Sequence, residues 1–224
     1  MRKLVKYADS EGDASLGNQL RRKRFEYFKS LVDQVPKPVK ILDVGGTQNF
    51  WKQMGMLDED GFEYTLINLE AEVPISPKFD CQAGDARDLS RFADKQFDIV
   101  FSNSVIEHVG TLEDQRKMAK ECMRVGKRFY IQTPNRFFPI EPHFLFPFFQ
   151  FMPLGMKVWL LMHFKLGWFE KMTDRDEAVA AAKSARLMTR RELVDAFPGA
   201  TVYVEKFKGL AKSFTMIGGW EPKP

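Results

Sequence analysis

Four residues combine ionisable side chains with positions where a reaction could run. Glu107 and His108 come in the SNSVIEH segment that follows the apolar run Phe97–Phe101, and Glu141 and His143 follow a later run, Arg128–Thr133. Imidazole is the side chain best suited to move a proton near neutral pH, and a carboxylate beside it can orient the ring or hold its cation. His108 and His143 are therefore candidate general bases, with Glu107 and Glu141 as companions. The competing reading of His108 is a structural hydrogen bond at a helix start, and His163, inside an apolar stretch, reads as a packing residue. A second group is Asp43, Gly45 and Gly46, in ILDVGGTQNFW. Ile41, Leu42 and Val44 form a strand buried on both faces, and the glycine pair permits a tight turn into a helix. Strand, turn and helix in that order is how an open α/β sheet builds a cofactor site. Many such turns carry glycine for packing alone, so the pair gains its meaning from what surrounds it.

The surroundings are a regular alternation. Leu16–Val35 reads as a helix ended by Pro36 and Pro38, after a frayed segment up to about Asp13. Strands follow at 39–44, 64–69, 80–83, 97–101 and 128–133, with a short helix at 50–54. Thr111 and Asp114 form a capping box for a helix that Gly126 stops. After a long aromatic stretch come a polar helix over 174–187, a short one capped by Thr189 and Glu192, and two last strands, 201–207 and 213–218. This order predicts an α/β, Rossmann-like, seven-stranded and mostly parallel sheet, closed by an antiparallel β-hairpin and flanked by helices on both faces. We read a single domain over 1–224, with 1–38 as a helical extension and 137–187 as an aromatic lid. The loops carrying Gly45, His108 and His143 then share one edge of the sheet.

Composition narrows the classes. The 224 residues are 44% hydrophobic, enough for one good core, and no solenoid period appears. A net charge of +4 is modest, although Arg21, Arg22, Lys23 and Arg24 give one helix face a basic run, usually a solvated surface. Cys81 and Cys122 lack metal or redox spacing and read as ordinary thiols of a reducing compartment. The first residues, MRKLVKYADSEGD, have no apolar h-region, so the expected location is cytoplasmic, with a peripheral membrane contact left open.

ILDVGG, the GDARDL turn, FDIVFSNSVIEHV, the helix running into MRVGKRFYIQTPN and the late MTRRELVDAFPGA segment together resemble a class I methyltransferase that uses S-adenosylmethionine. The resemblance spans Val39 to Trp220. It is greatest to the branch whose fourth strand runs into a (V/L)-x-E-H-V segment and which acts mostly on small molecules and on quinone or lipid precursors. It implies that Asp43 and Gly45 contact the amino-acid part of the cofactor, while Gly46 lets the backbone approach. Thr47 and Asn49 stand where the family commonly has further glycines. Either Asn68 or Glu70 would take the ribose hydroxyls, and Asp85, followed by Ala86, would accept from the adenine amino group; Asn103 completes the candidate cofactor set. Ordinary roles compete here too: a turn former for Asp85, a solvated loop acid for Glu70. Some relatives in this branch resemble magnesium users with a Glu three residues before the Glu-His pair. Here that position is Ser104, and Glu107 with His108 alone makes a poor site for a hard cation, so no metal is expected.

Other classes fit less well. A nicotinamide oxidoreductase would want G-x-G-x-x-G, whereas Gly45 and Gly46 are adjacent. A nucleic-acid methyltransferase finds support in Arg21–Arg24 but not in SNSV, where base-amino enzymes carry an Asp or Asn, two prolines and an aromatic. A methyltransferase-like binding module without catalysis is the remaining alternative. The insertion from Phe137 to Phe169 bears on the acceptor, for five of the eight residues from Phe144 to Phe151 are Phe. Pro147 and Pro153 with Lys157, His163 and Lys165 argue against a span. Three readings remain: a lid completing the core over the sheet edge, an apolar acceptor pocket, or a helix over 154–169 lying in a membrane interface. The last two imply an apolar or lipid-linked small-molecule acceptor.

Overall fold

The computed structural model describes residues 16–220, so the segment expected to fray lies outside the described residues. Helix α1 covers Leu16–Val32, followed by β1 (Val39–Val44), α2 (Gln48–Gln53), β2 (Phe62–Asn68), β3 (Phe79–Ala83) and β4 (Phe97–Asn103). A 3-10 turn, Ile106–His108, precedes α3 (Leu112–Val125) and β5 (Gly126–Pro134). The rest is β6 (Ile140–Glu141), β7 (Phe146–Pro147), α4 (Leu154–His163), α5 (Arg175–Lys183), α6 (Arg190–Ala196), β8 (Thr201–Phe207) and β9 (Leu210–Gly218).

The main sheet has seven strands in the order β3-β2-β1-β4-β5-β9-β8. The first five run parallel, and β9 pairs antiparallel with both β5 and β8. The chain builds outward from β1 to β3 and then returns to lay β4 on the other side of β1. That reversal opens a crevice at the carboxyl ends of β1 and β4, the usual ligand position in such sheets.

Alternation along β1 explains the two-faced core. Val39 and Ile41 pack with Phe25, Phe28, Trp51 and Tyr64 under α1 and α2, while Leu42 and Val44 pack with Met118, Cys122 and Leu193 under α3 and α6. The two expected capping boxes are present, Thr111 with Asp114 and Thr189 with Glu192. Gly126 ends α3 with extended rather than left-handed backbone, because β5 begins at once and a Cβ there would stand 2.6 Å from Val100.

The aromatic insertion departs from expectation. It does not complete the sheet core: Phe144, Phe149, Val158, Leu161 and Leu166 form a third cluster of their own with Ala178, Ala181 and Ala182 of α5. Helix α4 stops at His163, six residues short of the predicted end, because Phe164 is extended and the chain reverses through Leu166–Phe169. Helix α5 likewise ends at Lys183 rather than 187. His163 is exposed, its ring stacked on Trp159 at 4.7 Å. No helix among the described residues is long and apolar enough to cross a membrane.

Candidate active site

The first part of the crevice is built on Asp43, whose side chain is completely buried. Its Oδ2 accepts a 2.7 Å hydrogen bond from the Trp51 indole N–H, and its Oδ1 has no partner. Burial pushes the carboxyl up to about 7, against the hydrogen bond from Trp51, with the charge of Glu72 adding to the rise. The glycine pair makes this geometry possible. Gly45 has φ +78, and a Cβ on Gly46 would lie 1.8 Å from Asp43 Oδ2. What approaches Gly46 is thus the chain's own carboxylate, and any side chain there would expel it. Asn49 and Thr47 are not needed as glycines, since Thr47 instead caps α2 by accepting from the Phe50 N–H.

Asn68 and Glu70, alternatives in the sequence, separate here. Asn68 Nδ2 donates to the Gly46 carbonyl at 2.8 Å and pins the turn, while Glu70 is exposed beyond β2. A third acid, Glu72, escaped the sequence reading: it accepts from Gln48 Nε2 at 3.0 Å, and the same Gln48 takes the Ile75 N–H, stapling loop 72–75 to α2. No sequence signal marked it, because the burial of Gln48 is visible only in the fold. Asp85 joins this edge through the neighbouring Gly84 N–H bond to the Asn68 carbonyl. Its carboxylate is forked by Arg87, which holds its pKa below the usual value, and Ala86 lies between them, half-buried. Asn103 ends β4 and lines a cavity of about 10 Å³ with Arg21, Arg24, Phe50, Phe101 and Tyr130. The basic run is therefore not one solvated face. Arg24 forks Glu205 of β8 with two 2.9 Å bonds.

The second part joins all four acid and base candidates. The Gly45 turn packs on Val105, and two residues later Glu107 is buried at 1% exposure. Its Oε2 accepts from the Thr133 hydroxyl at 2.9 Å, and its Oε1 has no partner. Burial raises its pKa, opposed by His108 and His143. His143 Nδ1 lies 2.6 Å from Glu141 Oε1, whose other oxygen accepts the His143 and Phe144 N–H groups. Burial disfavours the His143 imidazolium, but the Glu141 hydrogen bond and the Glu141 and Glu107 charges outweigh it and raise its pKa. His108 Nδ1 lies 2.8 Å from the Ser184 carbonyl, and the two Nε2 atoms are 3.0 Å apart. The structural hydrogen bond expected of His108 is present, made across to the Ser184 carbonyl. Two ligand candidates become three, which corrects the count behind the expectation of no metal. Ser104 is not a fourth: its hydroxyl donates to Gln132 at 2.9 Å. Thr133 and the Ser184 carbonyl went unseen in the sequence because only the fold brings them here.

Comparison with known proteins finds likeness over part of the chain and in the fold. Residues 47–128 match the family described as a methyltransferase domain. An uncharacterised protein of Mycobacterium tuberculosis is 35% identical over 85 residues, 38% of this chain. The chain spans about a quarter, 26%, of that relative's length. A SAM-dependent methyltransferase from Aquifex aeolicus is similar in structure, with a TM-score of 0.51 at 10% identity over 96% of each chain. A cyclopropane-fatty-acyl-phospholipid synthase-like protein from Lactobacillus casei gives 0.54 at 12%, over 97% of this chain and 99% of its own. At such identities these likenesses concern the fold.

Proposed function

We propose that this chain, of which residues 47–128 match a methyltransferase domain family, transfers a methyl group from S-adenosylmethionine to a small acceptor that is apolar or lipid-linked. The observation that carries the reading is the buried Asp43 carboxylate with a free oxygen under a glycine turn, at the point where the strand order reverses. An acceptor atom in want of a donor fits the ammonium of S-adenosylmethionine. Asp43, Gly45, Gly46 and Asn103 would hold the amino-acid end; Asn68 or Glu70, with Asp85 and Ala86, would hold the nucleoside. When bound, the cofactor supplies an electrophilic methyl group on a sulfonium. The chain orients the partners and excludes water, which suits an in-line displacement. Glu107, His108, Glu141 and His143 form the acceptor end, where the two histidines face the acceptor as one unit rather than as alternatives.

The insertion supports the choice of acceptor. Phe137, Phe148, Phe151, Leu154, Met156, Trp159, Phe164 and Trp168 are all exposed, a concentration typical of surfaces that meet apolar partners. Lys157 and Lys165 flank them, so the insertion suits an anionic lipid surface, from which a lipid-linked acceptor would be drawn. Nucleic acid is a poorer partner, since Arg24 of the basic run is spent on Glu205. Calorimetry with S-adenosylhomocysteine should give one site per chain, and extracts incubated with labelled cofactor should yield a labelled apolar product. Failure of either cofactor form to bind would overturn the reading.

A further inference from the structure

We infer that Glu107, His108 and His143 form a site for one divalent transition-metal ion of the zinc class, at the acceptor end of the crevice. Candidate ligand atoms of the three side chains lie within 4.8 Å of one another. Their orientation follows from what stands behind them. His108 Nδ1 faces the Ser184 carbonyl and His143 Nδ1 faces the Glu141 carboxylate, both of them acceptors. Each Nδ1 therefore carries the hydrogen, and the two Nε2 atoms turn lone pairs toward the same point. At 3.0 Å they cannot bond to each other without something positive between them.

A proton would serve the two nitrogens but leave the buried Glu107 Oε1 without a partner. A metal ion serves all three atoms. With Zn–N bonds of about 2.0–2.1 Å and tetrahedral angles, two imidazole nitrogens stand roughly 3.3 Å apart, so the pair needs to open by only about 0.3 Å. The outer shell is already complete. One ring is backed by a carboxylate and the other by a backbone carbonyl, which is how metal-binding imidazoles are oriented, and Thr133 holds the remaining Glu107 oxygen. Two imidazoles and a single carboxylate suit zinc, cobalt or iron(II), whereas magnesium prefers an oxygen set. A fourth position stays open for water or for an acceptor hydroxyl, whose pKa the ion would lower. That last role rests on the proposed methyl transfer, while the site itself does not.

The test uses the full chain without a histidine tag, stripped with a chelator, dialysed and titrated with Zn²⁺ by calorimetry and with Co²⁺ by visible absorption. One ion per chain is expected, with excess Mg²⁺ failing to displace it. His108→Ala, His143→Ala and Glu107→Gln should each weaken binding at least about a hundredfold, and Glu141→Gln about ten- to a hundredfold. All four should keep the native affinity for S-adenosylhomocysteine, which distinguishes loss of the metal from loss of the cofactor site. His108 is exposed, so its variant leaves the core intact. No stoichiometric uptake by the native chain, or undiminished uptake by a folded His108→Ala, His143→Ala double variant, would overturn the inference.

Discussion

At the scale of single residues the informative group is Asp43. Its folded pKa of about 7 lies above the ordinary 3.8, so the native state favours the protonated form. The stability this group contributes is present in full below the ordinary value and is lost as pH rises through 7. Between pH 5 and 8 the loss should amount to about 2–3 kcal/mol, and Asp43→Asn should remove it, as read from urea unfolding at the two pH values. The same variant should bind S-adenosylhomocysteine about ten- to a hundredfold more weakly, since a charge-assisted bond is worth about 1.5–3 kcal/mol. Trp51→Phe removes the only donor Asp43 has among the described residues and should cost about 1–3 kcal/mol. Asp43 could be singled out from sequence because ILDVGG stands in a set of motifs that resembles a family, the glycine turn alone being common. Trp51 could not, because an indole eight residues on reads as core until the carboxylate is seen to need it.

At the scale of elements, α1 and the insertion carry the tests. Helix α1 is fixed by the Arg24–Glu205 pair, in which neither side chain is more than 12% exposed. Burial alone would raise the Glu205 pKa, but Arg24 and Lys212 hold it below the usual range. Its contribution is thus present above the ordinary carboxylate value and is lost as pH falls. Arg24→Met leaves Glu205 buried and without its main partner, at a cost of about 3–5 kcal/mol. Adding Glu205→Leu should restore most of that in urea unfolding. The insertion is tested by co-sedimentation with anionic vesicles. The native chain should bind and be released by salt, and folded Phe148→Asp and Trp159→Asp variants should stay in solution; no binding by the native chain would leave only a lid or pocket. The density of Phe announced that this segment packs on something. Its partner, Ala178–Ala182 of α5, was hidden because an Ala-rich polar helix shows no strong apolar face.

At the scale of the whole molecule, the succession of strands and helices was readable because each parallel strand is a short apolar run between turn residues, and capped helices mark the crossovers. The convergence of His108 and His143, 35 positions apart, was not, since it depends on the path of a loop and on the segment after α5. The three clusters of buried residues also imply unequal stability. Cluster three shares no residue with the two clusters on the sheet faces, so amides of 144–182 should exchange hydrogen at a lower opening free energy than those of β1, β4 and β5. Exchange followed by mass spectrometry should show two protection classes; uniform protection would mean that the insertion opens only with the sheet.

The seat of α1 has a consequence for biosynthesis. Tyr130 donates to the Arg24 carbonyl, Trp220 donates to the Leu31 carbonyl, and Glu205 receives Arg24, so the helix rests on residues made long after it. At about 5–20 residues per second, the ribosome delivers β8 and β9 roughly ten to forty seconds after α1 has emerged. During that interval Phe25 and Phe28 lack part of their native packing, and the cavity beside Asn103 lacks its roof. A ribosome stalled before residue 201 would therefore display an intact crevice floor with the helix above it still without its full seat.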